Sequence, residues 1–343
     1  MRPLPIALGA CCIAALGMKA PPGAPAEDAS TKLSHKAHKQ WDFVLPAERW
    51  HKVDGVITLP GGLEFETKTE GPLKLRVDTN ADGRLDKDVK GQSGFLTLSA
   101  KDNAGNPFRY SIRFKNVAAG KWEWATGSSM TGKIDGTLVH VFDQDGNGRY
   151  DDYGVDAIAV GSANCAALLS KVVSIDGDLF DFEIQPDGTS AKTSAYDGPT
   201  GVLSVEQDYE AKGKLTAAVF RSGDLSFQVA GKKKGVTVPV GRYDFVSGRV
   251  ERGSASASMR RGRMAPLVVE ESGTTKIEWG EELEGEFDFK QTGVKVTVQA
   301  NFAFFGAAGE EYYDFKPRGK GPKIIFKDQE RGREIREGRF RES

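Results

Sequence analysis

Apolar residues recur at every second position along much of this chain. Leu73, Leu75 and Val77 alternate with lysine and arginine, and Phe108, Tyr110, Ile112 and Phe114 alternate with arginine and serine. Val236, Val238 and Val240, then Val294, Val296 and Val298, repeat the pattern. A period of two with polar residues between marks a strand with one face buried and one in water. Turn signals separate the runs: Asp54-Gly55, Asp135-Gly136, Asp187-Gly188, Asp197-Gly198-Pro199 and the stretch 232–235. Gly beside Asp or Pro supplies the backbone freedom that tight connections need. Only residues 163–173 could form a short helix or connector, and no longer segment has a period near 3.6. The pattern predicts an all-β fold of two to three antiparallel β-sandwich-like modules.

Composition supports this reading. Gly is abundant at 41 residues and Met scarce at 5, a mixture that favours turns over long helices. The predicted modules are 41–165, 166–235 and 236–343, with breaks placed at 163–173 and 231–235 and a further one considered in the Ser/Arg/Gly-rich stretch 253–263. Residues 27–40 lack an apolar period and read as a flexible leader. Residues 1–26 read as a signal peptide: Arg2 gives a positive start, 6–18 is a run of apolar and small residues, and Ala24-Pro25-Ala26 offers a cleavage site. Leu8-Gly9-Ala10-Cys11 leaves a lipoprotein box as an alternative. The expected location is therefore secreted, periplasmic or cell-surface. Cys11 and Cys12 fall in the signal, so Cys165 alone remains and no internal disulfide can form. Cys165 reads as a small buried apolar residue. A net charge of −1 gives no electrostatic case for nucleic acid.

Two acidic loops carry the clearest chemistry. Residues 78–86 place Asp78, Asn80, Asp82, Gly83, Arg84 and Asp86 in the same order in which 143–151 place Asp143, Asp145, Asn147, Gly148, Arg149 and Asp151. Oxygen-bearing side chains at alternate positions, then Gly, then another Asp three residues on, gather ligands for a hard cation, with Ca²⁺ the expected one. Asx turns use the same residue types without metal, but carboxylates left unneutralised would repel one another. Each loop follows an alternating strand, and the starts lie 65 residues apart, a hint of internal duplication.

Over about a dozen residues each, the loops resemble EF-hand-type calcium-binding loops. The resemblance implies side-chain ligands from Asp78, Asn80 and Asp82, a carbonyl from Arg84 and a ninth-position ligand in Asp86. In the second loop it implies Asp143, Asp145 and Asn147, the carbonyl of Arg149, and Asp151. The twelfth position departs from the pattern, because Val89 and Gly154 stand where a bidentate Glu belongs. Asp88 in the first loop, and Asp152 or Asp156 in the second, are substitutes. With strands rather than helices entering the loops, a static structural site is expected instead of a sensor.

Other residues carry less. Trp122 and Trp124 share a strand face and with Tyr150 form either a sugar-stacking platform or core. His35 and His38 have H-x-x-H spacing within the leader, and His140 reads as a surface or packing residue. Asp181 and Glu183 are paired carboxylates on a predicted strand, read as a solvated face, and 102–106 reads as a hairpin turn. The tail from Lys316 is rich in both Lys/Arg and Asp/Glu and reads as a charged edge. Together these features imply an exported calcium-binding β-sandwich protein with a structural, adhesive or binding role at the cell envelope or outside the cell, its partner a glycan or envelope protein. The alternative is a polysaccharide-active hydrolase or its calcium-dependent carbohydrate-binding accessory module.

Overall fold

The computed structural model describes residues 29–205, 209–293, 295–317, 323–327 and 330–339. The proposed signal segment 1–26 lies outside them. Every regular element among the described residues is a strand, and nearly all pairs are antiparallel. The all-β reading therefore holds. Among the described residues no helix is long and apolar enough to cross a membrane.

The alternating runs become strands: Lys74–Val77, Pro107–Ala118, Val236–Pro239 and Lys295–Phe305. In the first, Leu75 and Val77 are buried while Lys74 and Arg76 stay partly in water, as a pleat with one wet face requires. Asp135-Gly136 has both residues at positive φ, 46° and 78°, and joins Ser128–Ile134 to Thr137–Phe142. Two consecutive residues with positive φ make the turn whose twist matches the flanking strands.

Four sheets enclose the first core. One runs Ala29–Lys32, Ser190–Ala195, Asp178–Ile184, Val172–Ile175; a second runs Ala167–Leu168, Ala157–Val160, Thr137–Phe142, Ser128–Ile134, Ser34–Ala37. The others are His51–Lys52, Lys121–Thr126, Pro107–Ala118, Ser93–Lys101, and Val56–Leu59, Leu63–Thr69, Lys74–Val77, Lys87–Lys90. Phe65, Tyr110, Phe114, Trp122 and Trp124 fill the space between them. A second core, containing Phe220, Tyr243, Phe245, Met259 and Trp279, is covered by a long sheet that starts at Leu225–Gln228 and ends at Lys295–Phe305 and Glu284–Thr292. Parallel pairing occurs between Thr200–Ser204 and Thr274–Lys276 and between Tyr209–Glu210 and Trp279–Gly280.

Three expectations change. From residue 29 on, the leader is ordered. Ala29–Lys32 pairs with Ser190–Ala195, Ser34–Ala37 pairs with Ser128–Ile134, and the intervening Leu33 is 2% exposed in the first core. One short segment thus straps two sheets. Its order comes from backbone bonds to existing strands, and most of its side chains face water, so its sequence has no apolar period. The limit at 165 does not separate cores either. Val173, Ile175, Phe182 and Ile184 enter the first core, while Val172 and Leu179, on the opposite side of the same pleats, enter the second. Phe227, Val229 and Val238 likewise share one core across the limit at 235. Finally, 163–173 is a connector containing Ala167–Leu168, with the buried Cys165 bridged to Val44.

Leu33→Ala is expected to cost about 2–5 kcal/mol, the range for deleting a well-packed Leu side chain. A urea titration of the variant against the parent checks this, and a change under 1 kcal/mol would mean that the strap contributes little.

Candidate metal centre

Both acidic loops are built on one hydrogen-bond scheme. In each, the first Asp is completely buried at the end of a strand and its carboxylate caps the turn that follows. Asp78 accepts from the N–H of Ala81 (2.9 Å) and of Gly83 (2.9 Å); Asp143 accepts from the N–H of Gly146 (2.7 Å) and of Gly148 (2.6 Å). The spacings, three and five residues, are the same. So is the backbone: Ala81 and Gly146 have φ of 57° and 74°, Gly83 and Gly148 of 77° and 79°. The sequence likeness of the loops thus extends to their conformation.

They differ in what happens to the remaining carboxylates. In the first loop each is satisfied locally and in water. Asp82 accepts from the Arg84 N–H and the Asn80 side-chain amide, at 2.9 and 3.1 Å. Asp86 turns to Thr79, accepting from its N–H and its hydroxyl, both at 2.8 Å. Asp88 forms ion pairs with Lys74, Arg76 and Lys90. Among the described residues the carboxylates of Asp78, Asp82 and Asp86 form no close group of three, and each is engaged in hydrogen bonds within the turn, as is Asn80.

In the second loop Asp143, Asp145 and Asp156 each offer an oxygen, and the three lie within 4.8 Å of one another. This group can hold a metal ion. Asp143 and Asp156 are fully buried and Asp145 partly so. Asp143 is fixed by four donors. Its Oδ1 takes the N–H groups of Gly146 and Asn147, and its Oδ2 takes that of Gly148 and the Tyr110 hydroxyl at 2.8 Å. Asp145 has only long contacts to Asn147, at 3.4 Å. Asp156 Oδ2 accepts from the Asp152 N–H at 3.1 Å, while its Oδ1 is buried with no partner. A buried acceptor left unpaired is costly.

The electrostatics follow from that crowding. Burial pushes the Asp156 carboxyl up to about 9, with the Asp143, Asp145 and Asp152 carboxylates adding to the shift against one favourable N–H bond from Asp152. Burial likewise pushes Asp143 up to about 7, opposed by the Tyr110 and Gly148 donors and reinforced by Asp145. Tyr150, buried with its hydroxyl unpartnered, is raised by burial and then by Asp143. Protons or a cation must offset this concentration of negative charge.

The surrounding fold holds the loop from every side. His51 Nε2 bonds the Asp145 carbonyl at 2.5 Å and stacks on Trp124, with ring centroids 4.6 Å apart. A Cβ at Gly146 would meet His51 and Trp124, and one at Gly148 would meet Pro60. The Gln144 side chain accepts from the Ala47 N–H and donates to the Val155 carbonyl. Arg221, from a strand centred on the second core, donates to the Gly154 carbonyl at 3.2 Å.

Of the residues the motif assigned, Asp143 and Asp145 meet in the cluster. Asn147 is adjacent but spends its oxygen on the Arg149 N–H, and Asp151 is ion-paired with Arg149 at 2.8 Å. Asp156, weighed only as a substitute, is the third carboxylate. Tyr110 had no local signal, because it lies 33 residues before Asp143 and only pairing of sheets brings it there. Trp122, Trp124 and Tyr150 are all buried in the first core, so the core reading holds and no stacking platform exists there. His35, His38 and His140 do not gather on a metal. His38 and His140 share the Ser129 hydroxyl, at 2.9 and 3.1 Å, and His35 faces Ser111. Burial lowers all three, His35 and His140 to about 4, so they are neutral packing residues. Asp102 caps the expected hairpin turn. Asp181 and Glu183 are exposed on one strand face beside Tyr153, at an open depression of about 640 Å³ that Lys171 and Lys192 also line.

Without divalent cations, stability should fall as pH rises from about 4 to about 9, because the folded state holds protons on Asp156 and Asp143 that the unfolded chain has released. At pH 8 in chelator, Asp156→Asn should therefore be the more stable protein, by on the order of a few kcal/mol. Chemical denaturation at several pH values checks the slope, and a parent whose stability rises across this window would contradict the assignment. Tyr110→Phe should cost about 1–3 kcal/mol under the same conditions by removing a donor to a buried carboxylate. Compared with protein-family models, curated proteins and solved structures, the chain matches none.

Proposed function

We propose that the protein is an exported Ca²⁺-binding β protein with a structural, adhesive or binding role at the cell envelope or outside the cell. One observation carries the metal part: the unpartnered, buried Asp156 Oδ1 belongs to a carboxylate that lies within 4.8 Å of Asp143 and Asp145. Oxygen donors suit a hard cation. Ca²⁺ tolerates irregular arrangements of six to eight oxygens, whereas Mg²⁺ demands a near-ideal octahedron and keeps its waters. A crowded loop with three carboxylates favours Ca²⁺ on that ground.

The role follows from where the loop sits. It touches the strand His51–Lys52, the turn near Pro60, the segment around Gln185 and Arg221 of the second core. A cation there draws these parts together and neutralises charge that otherwise weakens the fold. A chain whose described residues contain one free cysteine and no disulfide gains stability by that route. The proposal of export rests on the sequence of residues 1–26. The burial of both tryptophans and Tyr150 removes the feature that had favoured a carbohydrate-binding module.

Thermal melting with millimolar Ca²⁺ against chelator tests the reading. The parent should gain stability with Ca²⁺, about 2.7 kcal/mol when the ion is at a hundred times its Kd. Mg²⁺ should give less, Asp156→Asn should abolish the gain, and Asp82→Asn in the first loop should leave it intact. A parent that melts identically with Ca²⁺ and with chelator would overturn the proposal.

A further inference from the structure

The long sheet over the second core ends at the strand Glu284–Thr292, whose one strand neighbour among the described residues is Lys295–Phe305. Its outer edge presents the backbone of a nine-residue strand. Sheets commonly protect such an edge with a proline, a bulge or a very short strand. Here there is no proline. The irregular pairing lies between Phe287, opposite Phe302, and Phe289, opposite Val298. Asp288 alone is thus matched against 299–301, so the extra residues fall on the inner strand and the edge runs on unbroken.

Charge is the remaining protection, and it is arranged in both signs. Phe287, Phe289 and Gln291 lie on one face; Glu286, Asp288, Lys290 and Thr292 lie on the other. Phe289 is 62% exposed, and its ring centroid is 6.5 Å from that of Phe287. Glu286 is ion-paired with Arg263 of its own chain. Asp288 and Lys290, two residues apart, carry opposite charges along the same edge.

That order of charges is self-complementary in one register. Two copies related by a two-fold axis perpendicular to the sheet pair their edges antiparallel. The axis must pass through a residue, because only then do the two apolar faces continue each other. The central residue fixes every opposed pair. Centred on Glu286, Asp288 or Lys290, that residue meets its own charge. Centred on Phe287, Glu286 meets Asp288. Centred on Phe289, Asp288 of each copy meets Lys290 of the other, Phe289 meets Phe289, Phe287 meets Gln291 and Glu286 meets Thr292. Of these five registers only the last opposes unlike charges without opposing like ones.

We propose that the protein forms a symmetric dimer by antiparallel pairing of two Glu284–Thr292 edges, with Phe289 at the two-fold axis. The pairing closes the open edge, sets exposed rings against each other and places two Asp288–Lys290 pairs across the seam. It does not depend on the metal centre, whose carboxylates belong to the loop 143–156.

Sedimentation velocity of the chain without its proposed signal segment tests it. A dimer is expected at a concentration on the order of 100 µM, as suits a small interface. Phe289→Asp, which brings two carboxylates together at the axis, should give a monomer with an unchanged thermal melt. Lys290→Asp alone and Asp288→Lys alone should each weaken the dimer by about tenfold, since two cross-strand pairs turn from attractive to repulsive at once. The double variant Asp288→Lys with Lys290→Asp should restore dimerisation to within about threefold of the parent, because the pairs are re-formed with their signs exchanged. A parent that stays monomeric overturns the proposal. So does a dimer that survives Phe289→Asp. A dimer that Phe289→Asp breaks but the single charge reversals leave intact overturns it as well, because the arms then pack face to face. Failure of the double variant to recover rules out the register, and loss of the parent dimer in chelator would show association through a metal ion in place of the edge.

Discussion

Three carboxylates pressed into one buried corner are the constraint around which the first half of this molecule is arranged. Asp143 alone could be accommodated, since four donors surround it. Asp156 could not, since one of its oxygens has no partner. The fold places them together because Asp143 directly follows the strand Thr137–Phe142 and Asp156 directly precedes the strand Ala157–Val160, and those strands are hydrogen-bonded neighbours with Phe142 opposite Ala157. Any loop connecting them must bring its two ends to adjacent positions on a sheet. With Asp at both ends, the sheet ladder itself forces the negative charges into proximity, and the core beneath excludes the water that would screen them.

The contrast with the first loop isolates what matters. Both loops share the same capped turn, the same positive φ positions and nearly the same residues. The first opens into water, where Thr79, Lys74 and Arg76 engage its carboxylates. In the second, His51, Trp124, Pro60 and Gln144 close over the turn. Identical local chemistry thus yields a hydrogen-bonded turn in one place and a strained acidic cluster in the other. Burial decides between them, because it turns each unpaired charge from a weak repulsion into a costly one.

Burial also assigns the other polar candidates. The two histidines that a spacing rule would pair part company: His38 meets His140 across the Ser129 hydroxyl among Trp41, Phe43 and Phe142, while His35 faces Ser111. The tryptophans that strand geometry puts on one face turn that face inward. At the far end of the molecule the logic reverses. The arm Glu284–Thr292 and Lys295–Phe305 keeps Phe289 and Val296 in water, because among the described residues no further layer covers that stretch of sheet.

The sequence by itself determined the strands, many of their turns, the likeness of the two loops and the choice of Asp143 and Asp145. These follow from rules that act over two to nine residues: the strand period, the positive φ of Gly, and the reach of an Asp side chain to nearby N–H groups. Tertiary structure decided that residues 29–37 form a strap, that one pleated sheet feeds two cores, that Tyr110 caps Asp143 and that Asp156 completes the cluster while Asp151 leaves it for Arg149. Those outcomes depend on which strands lie side by side and on where water is excluded. Neither is encoded in any short window, because both are set by residues tens of positions apart meeting across a sheet.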